Sequence, residues 1–181
     1  EEGVDGLRKN LDRIALEAEN AVSEKYQIVI LSDRRAGKER IPVSALLALG
    51  TVQHHLIRKE LRTQIGIVLE SGEPREVHHF CMLAGFGADA INPYLAFEAM
   101  WQLKAEGYLP SSMSNDEIVH HFIKAVSKGI RKVMGKMGIS TLMSYKGAQI
   151  FEAVGLGQEV VEKCFAGTAS RIAGVGFSDL A

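Results

Sequence analysis

Residues 27–33, QIVILSD, form a short apolar run that ends in turn-forming polar residues. The run is too short for a helix, and its β-branched side chains favour a strand that is buried on both faces of a sheet. A second run of the same character, QIGIVLE, occupies residues 64–70. Between the two runs, residues 43–62 place leucines at helical spacing behind Pro42, a suitable first-turn residue. This strand–helix–strand order predicts a parallel βαβ unit.

The same alternation continues toward both ends of the chain. The predicted strands are 27–33, 64–70, 88–92 and 138–145. The predicted helices are 4–24, 43–62, 75–86, 94–106, 114–136, 147–154 and 158–165. The helix over 114–136 has the strongest start signal, since Ser114 is followed three residues later by Glu117. The pattern predicts an α/β fold of four or so parallel βα units, either an open sheet or a partial-barrel arc with flanking helices.

Composition is that of a globular protein. The chain has 181 residues, of which 46% are hydrophobic and 24% charged, which excludes disordered and fibrous classes. We therefore expect a single α/β domain over residues 1–181. Residues 166–181 are rich in Gly, Ser and Thr and are predicted to be an irregular linker. Cys81 and Cys164 lie far apart in apolar patterns, as is typical of buried thiols in a reducing compartment.

The charges indicate no polyanionic partner. Lys and Arg total 21 against 22 Asp and Glu. Basic clusters at 34–40 and 124–136 are interrupted or surrounded by acidic and apolar residues, so we interpret them as a solvated loop and a solvated helix face. No apolar run approaches the ~20 residues of a membrane span, and the acidic start is unlike a signal peptide. We expect no nucleic-acid or membrane partner and a cytoplasmic location.

Polar side chains follow each predicted strand. Asp33, Glu70, Asn92 and Lys146 come directly after or at the ends of the four strands. If the strands are neighbours, these residues meet at one rim, where a carboxylate near a lysine could transfer protons or hold a polar ligand. The alternative is that such groups only cap the following helices.

No other pattern predicts a catalytic, cofactor-binding or metal-binding residue. The histidines form the adjacent pairs 54–55, 78–79 and 120–121, and adjacent helical residues diverge by about 100°, so a pair cannot share one metal. The chain contains no GxGxxG, no GxxxxGK[ST] and no GxSxG motif.

Read as whole phrases, the sequence resembles the large subunit of glutamate synthase. The resemblance covers nearly the whole chain, in order, and corresponds to the later part of that enzyme's central domain. The phrases that carry it are ILSDR (30–34), VLESGEPREVHHF (68–80), GADAINPYLAFE (87–98), KVMGKMGIST (132–141), SYKGAQIFEA (144–153) and GTASRI (167–172).

The resemblance implies a parent enzyme that makes glutamate from glutamine and 2-oxoglutarate, with FMN and a [3Fe–4S] cluster and with electrons from NADPH or ferredoxin. It implies that this piece lies between a glutaminase domain and an FMN-binding domain, its partners in the same chain. The family's glutaminase nucleophile is an N-terminal cysteine, whereas residue 1 here is Glu1. The closely spaced cysteines of the family's cluster have no counterpart at Cys81 and Cys164, and the resemblance places the FMN-binding residues in the following domain, so we expect no cofactor in this fragment. If the parent is a plant enzyme, the resemblance implies a plastid location.

Three hypotheses follow for the role of the chain. The first is a non-catalytic central domain that spaces two active sites and helps to wall an internal ammonia route. The second is a self-contained α/β enzyme or phosphate-binding protein that uses the polar rim. The third is a regulatory interaction module, which predicts an exposed apolar patch.

Overall fold

The computed structural model describes residues 3–181, so residues 1 and 2 of the predicted domain lie outside the described residues. The helices are α1 (Gly3–Ser23), α2 (Ala45–Arg58), α3 (Val77–Gly85), α4 (Tyr94–Ala105), α5 (Asn115–Met137), α6 (Leu142–Tyr145), α7 (Gln158–Cys164) and α8 (Phe177–Leu180). The strands are β1 (Ile28–Ser32), β2 (Gly66–Glu70), β3 (Ala90–Asn92), β4 (Glu152–Leu156) and β5 (Ala169–Val175). A 3₁₀ turn, Arg62–Gln64, precedes β2.

The first three strands form one parallel sheet in the order β1-β2-β3. Ser32 lies level with Glu70, and Glu70 lies level with Asn92. The predicted α/β fold with parallel strands and flanking helices is confirmed. The main sheet has three strands instead of four, because the fourth predicted strand does not form.

One face of this sheet is covered and the other is open. Ile67 and Leu69 are 0% and 2% exposed, whereas Ile28 and Ile30 are 58% and 61% exposed. The prediction that residues 27–33 are buried on both faces is therefore wrong. The reason is that α1 and α2 both pack against the same side of β1 and β2, and strand side chains alternate between the two sides.

The segment after α5 differs most from the prediction. Residues 138–145, predicted as a strand, contain α6. Gly138 ends α5 in the left-handed conformation, and the Thr141 hydroxyl accepts a hydrogen bond from the backbone of Ser144 at 3.3 Å. This local capping overrides the β-branched composition. Residues 147–154, predicted as a helix, include the start of β4.

A second parallel sheet joins β4 to β5 through α7, and its pairing corrects the expectation of an irregular tail over 166–181. Register shifts interrupt the pairing next to Gly155. A Cβ on Gly174 would overlap the backbone of Gly155, so glycine there allows the strands to approach. The glycines that suggested irregular structure thus permit the pairing.

Three clusters of apolar side chains hold these layers together. The first lies between the main sheet and α1–α2, the second joins α1, α2, α7 and α8, and the third lies between α3, α5 and α6. Cys81 belongs to the third cluster and Cys164 to the second; both are free, buried thiols. None of the helices in residues 3–181 has both the length and the apolarity that a bilayer-spanning segment requires.

Candidate functional site

Three of the four predicted rim residues meet at the carboxyl ends of the main strands. Glu70, in the central strand, is the shared acceptor. Its carboxylate accepts hydrogen bonds from the hydroxyl of Ser32 at 2.6 Å and from the side-chain amide of Asn92 at 3.4 Å. These donors come from the strands on either side, so the side chains tie the ends of β1, β2 and β3 together.

Asp33 lies beside Glu70 but binds a different loop. Its carboxylate accepts hydrogen bonds from the Ser71 hydroxyl at 2.5 Å and from the backbone N–H of Gly72 at 3.1 Å. The Ser71 residue is only 1% exposed. Asp33 therefore fixes the turn that leaves β2. Burial, followed by hydrogen bonding to Asp33, raises the pKa of the nearby Tyr94 phenol.

Arg34 places a positive charge across this edge of the sheet. Its Nε donates to Glu70 at 3.1 Å, and its terminal nitrogen lies 3.7 Å from the Glu98 carboxylate. The guanidinium stacks 4.4 Å above the ring of Tyr94, a cation–π contact. Arg34 thereby connects the loop after β1 to the first turns of α4.

A further carboxylate, Glu73, caps the helix that follows β1. Both of its oxygens lie 3.1 Å from the backbone nitrogen of Ala45, which donates to them at the start of α2. A carboxylate there is favoured because helix N-termini carry unpaired N–H groups and positive dipole charge. Glu73 follows β2 but caps α2, the helix that precedes β2 in the chain, so it is not an instance of the predicted capping of the following helices.

Lys146 does not join the other three residues. It pairs with Asp89, which also accepts hydrogen bonds from Arg62 at 2.9 Å and from the backbone of Ile67 at 2.8 Å. Asp89 immediately precedes β3, so this cluster lies toward the amino ends of the strands. The placement of Lys146 at the rim was wrong because residues 138–145 form no strand. Nothing in the sequence pattern marked Asp89 and Arg62 as its neighbours.

Asp89 is held as a carboxylate by these contacts. Burial acts to raise its pKa, but the hydrogen bonds from Lys146, from the Ile67 backbone and from Arg62 outweigh burial and lower it. The side chains of Arg62 and Lys146 are only 16% and 15% exposed. This second cluster closes the side of the sheet opposite to the rim.

The rim is defined as Ser32, Asp33, Arg34, Glu70 and Asn92. Three of its side chains donate to Glu70, and Asp33 accepts from Ser71 and Gly72 in the adjoining turn. The carboxylates of Asp33 and Glu70 accept hydrogen bonds from hydroxyl, amide and guanidinium groups at the same edge of the sheet. Such an arrangement fixes loop positions; a ligand would have to displace existing hydrogen bonds. In the described part of the chain, no group of three or more His, Cys, Asp or Glu side chains could hold a metal ion.

The two cysteines do not fit the [3Fe–4S] cluster that the resemblance implies for the parent. A [3Fe–4S] cluster is held by thiolates, but Cys81 and Cys164 lie in separate apolar clusters, where burial raises the pKa of both thiols.

Comparison with known proteins identifies relatives over the whole chain. The chain is 49% identical over 180 residues to "Glutamate synthase [NADH]" of Schizosaccharomyces pombe, covering 99% of this chain and 8% of the relative. It is 47% identical over 175 residues to "Glutamate synthase [NADPH] large chain" of Bacillus subtilis, covering 97% of this chain and 11% of the relative. The chain therefore spans about a tenth of the length of these relatives.

A solved structure shares the fold. It is "A198G:L230A mutant flavocytochrome b2 with pyruvate bound", with a TM-score of 0.55 at 15% identity over 74% of this chain and 31% of that chain.

The family profile described as "Glutamate synthase central domain" matches residues 2–157. Since this match extends from the start of α1 to the end of β4 and includes the rim, the chain belongs to the glutamate synthase central domain family.

Proposed function

We propose that this chain is the non-catalytic central part of a glutamate synthase, an enzyme that makes glutamate from glutamine and 2-oxoglutarate. The observation that carries the proposal is identity of 46–49% to glutamate synthases over 99% of the chain. It is supported by a rim whose carboxylates already accept hydrogen bonds from this chain's own donors. In this role the domain spaces a glutaminase site and an FMN site that lie elsewhere in the full protein. It also forms part of the wall of an internal ammonia route.

A wall of this kind requires fixed loops and little penetration by water. Ammonia that reaches bulk water is protonated, and ammonium has no lone pair with which to attack a carbonyl carbon. The hydrogen bonds of Glu70 and Asp33 fix the ends of three strands and the turns that follow them. They supply the rigidity that a spacer between two sites needs.

The test is a double variant, Asp33→Ala/Glu70→Ala, in the full-length enzyme. We expect glutamine hydrolysis and ammonia-dependent glutamate formation both to continue, with an unchanged visible flavin spectrum. We expect more free ammonia to be released for each glutamate formed, because the loops that these carboxylates hold become looser. The measurement compares ammonia in solution with glutamate produced.

The control is Arg35→Ala/Glu39→Ala, in the exposed loop after β1, which should leave the ratio of ammonia to glutamate unchanged. Loss of either half-reaction by a folded Asp33→Ala/Glu70→Ala enzyme would contradict the proposal. That result would favour the alternative, in which the rim itself performs chemistry or binds a ligand.

A further inference from the structure

Helix α5 carries a continuous basic stripe. Its members are Lys124, Lys128, Arg131, Lys132 and Lys136, all of them exposed. At 100° per residue these five positions fall within about 140° of the helix circumference, and they extend for roughly 18 Å along its axis. The sequence alone suggested only a solvated helix face here, but the structure shows the charges to be on one side.

The opposite side of α5 packs on the rest of the domain. Phe122 contacts the rings of Phe80 and Phe97 edge-on, with centroids 5.9 and 5.7 Å away. Met134 is buried in the cluster between α3, α5 and α6. The basic stripe therefore points away from the core, where nothing in residues 3–181 covers it.

No acidic residue lies within the stripe. The segment 118–151 contains no Asp or Glu, and within residues 3–181 none of the five stripe cations forms an ion pair. Cations elsewhere do pair, for example Arg13 with Glu17 at 2.6 Å. The whole chain has a net charge of −1, so this helix face is positive on a protein whose charges nearly balance overall.

We propose that the basic stripe of α5 is a docking surface for an acidic protein surface that binds and dissociates reversibly. Four of its five cations are lysines, which are strongly hydrated and flexible. Lysine is depleted from the desolvated cores of protein interfaces, whereas clustered charge that stays hydrated accelerates the encounter of complementary proteins. The stripe thus fits a separate, transient partner and not a permanently packed neighbour.

Other polyanions fit less well. The isoelectric point of about 6.7 is far below that of typical nucleic-acid-binding domains, and no exposed aromatic ring lies within the stripe to stack on bases. An anionic bilayer would also meet Glu117, which lies on the same helix face about two turns before Lys124. A folded acidic protein can avoid that carboxylate.

The experiment uses the full-length protein and a fluorescein-labelled poly-L-glutamate peptide as the probe for an acidic protein surface. Fluorescence anisotropy at low salt should show binding that weakens as salt is added. The variant Lys124→Gln/Lys128→Gln/Arg131→Gln/Lys132→Gln should bind roughly tenfold more weakly, by loss of charge attraction. A control that removes four exposed cations elsewhere, Lys9→Gln/Arg35→Gln/Lys38→Gln/Arg40→Gln, should bind within about twofold of the unmodified protein.

Two further probes distinguish an acidic protein surface from a nucleic acid or an anionic membrane as the partner of the stripe. A labelled DNA duplex and phosphatidylglycerol vesicles should lose no more affinity in the stripe variant than in the control. Absence of peptide binding, equal binding by the stripe variant, or a larger loss for duplex or vesicles than for peptide would each overturn the proposal. Circular dichroism verifies folding, and the smaller variants Lys124→Gln/Lys128→Gln and Arg131→Gln/Lys132→Gln serve if the fourfold variant does not fold.

Discussion

Glu70 shows how one side chain can join three strands. It accepts hydrogen bonds from Ser32, Arg34 and Asn92, and its side chain is 25% exposed. Because one carboxylate serves all three donors, its removal leaves each of them without its acceptor at once. The energetic effect is larger than that of an ordinary surface carboxylate.

Replacement of Glu70 by Ala should therefore lower the free energy of unfolding by about 1–2 kcal/mol. Urea denaturation followed by circular dichroism measures the change. Glu39→Ala, in the exposed loop after β1, is the control and should change stability by less than about 0.5 kcal/mol. Equal effects of the two substitutions would show that the bonds of Glu70 contribute little.

Asp89 should make stability depend on acid pH. Its pKa is lower in the folded chain than its ordinary value, chiefly through Lys146 and the Ile67 backbone acting against burial. A lowered folded pKa means that the unfolded chain binds the proton first, so the stabilisation is present above the ordinary value and is lost as pH falls through the folded pKa. Asp89→Asn should flatten this part of the curve of unfolding free energy against pH, and Glu39→Gln should not. An unchanged curve for Asp89→Asn would contradict the assignment.

The two faces of the main sheet differ in their tolerance of substitution. Ile67 faces the helices and is 0% exposed, whereas Ile30 faces outward and is 61% exposed. Ile67→Thr should lower the free energy of unfolding by about 2–3 kcal/mol, because it removes buried apolar volume and buries a hydroxyl. Ile30→Thr keeps the β-branched shape and should cost less than about 0.5 kcal/mol. Thermal unfolding of the two variants tests the difference, and equal losses would mean that the outer face is covered.

Helix α2 approaches α7 so closely that only glycine fits at residue 50. A Cβ on Gly50 would overlap the backbone carbonyl of Cys164, whereas nothing lies within 4 Å of the same position on Gly135 in α5. Gly50→Ala should cost about 1–3 kcal/mol of stability through overpacking. Gly135→Ala should add up to about 1 kcal/mol, because alanine is the better helix former. Urea denaturation measures the free energy of unfolding of both variants. A change of the same sign in the two variants would contradict this account.

Elements defined by local signals were predictable from the sequence. The capping pair Ser114 and Glu117 marked the start of α5, and both hydrogen bonds of the capping box are present. The strands β4 and β5 were missed because their partner lies outside any local window, and strand preference depends on such pairing. The sequence predicted that Asp33, Glu70 and Asn92 lie together, because the carboxyl ends of neighbouring parallel strands meet at one edge of a sheet. Lys146 was placed there wrongly, because its predicted position depended on a fourth strand that does not form.

At the scale of the whole molecule, Phe86 connects the separate layers. Its ring stacks on Phe151 at 5.6 Å and meets Phe165 edge-on at 5.1 Å between centroids. It also packs against the clusters on both sides of α2. The two sheets and the helices packed on them should therefore unfold together, in a single transition.

Phe86→Ala should lower the free energy of unfolding by about 2–4 kcal/mol and separate the transitions of the two sheets. Tryptophan fluorescence, which reports on Trp101 in α4, can be compared with far-UV circular dichroism, which reports on all helices. Coincident curves for the variant would show that other contacts suffice to couple the sheets. Phe122→Ala, a substitution within the α3–α4–α5 region alone, is the matched control and should keep the curves coincident.

The contact between α2 and α7 also has a consequence for biosynthesis. The hydrogen-bonded side chains of Thr51 and Cys164 are 113 residues apart in the sequence. At a translation rate of about 5–20 residues per second, the ribosome needs roughly 6 to 23 s to make the intervening chain. During that interval the face of α2 that carries Gly50 and Leu47 has no partner from α7. Until α7 has been synthesised, this apolar face of α2 in the nascent polypeptide is therefore accessible to chaperones.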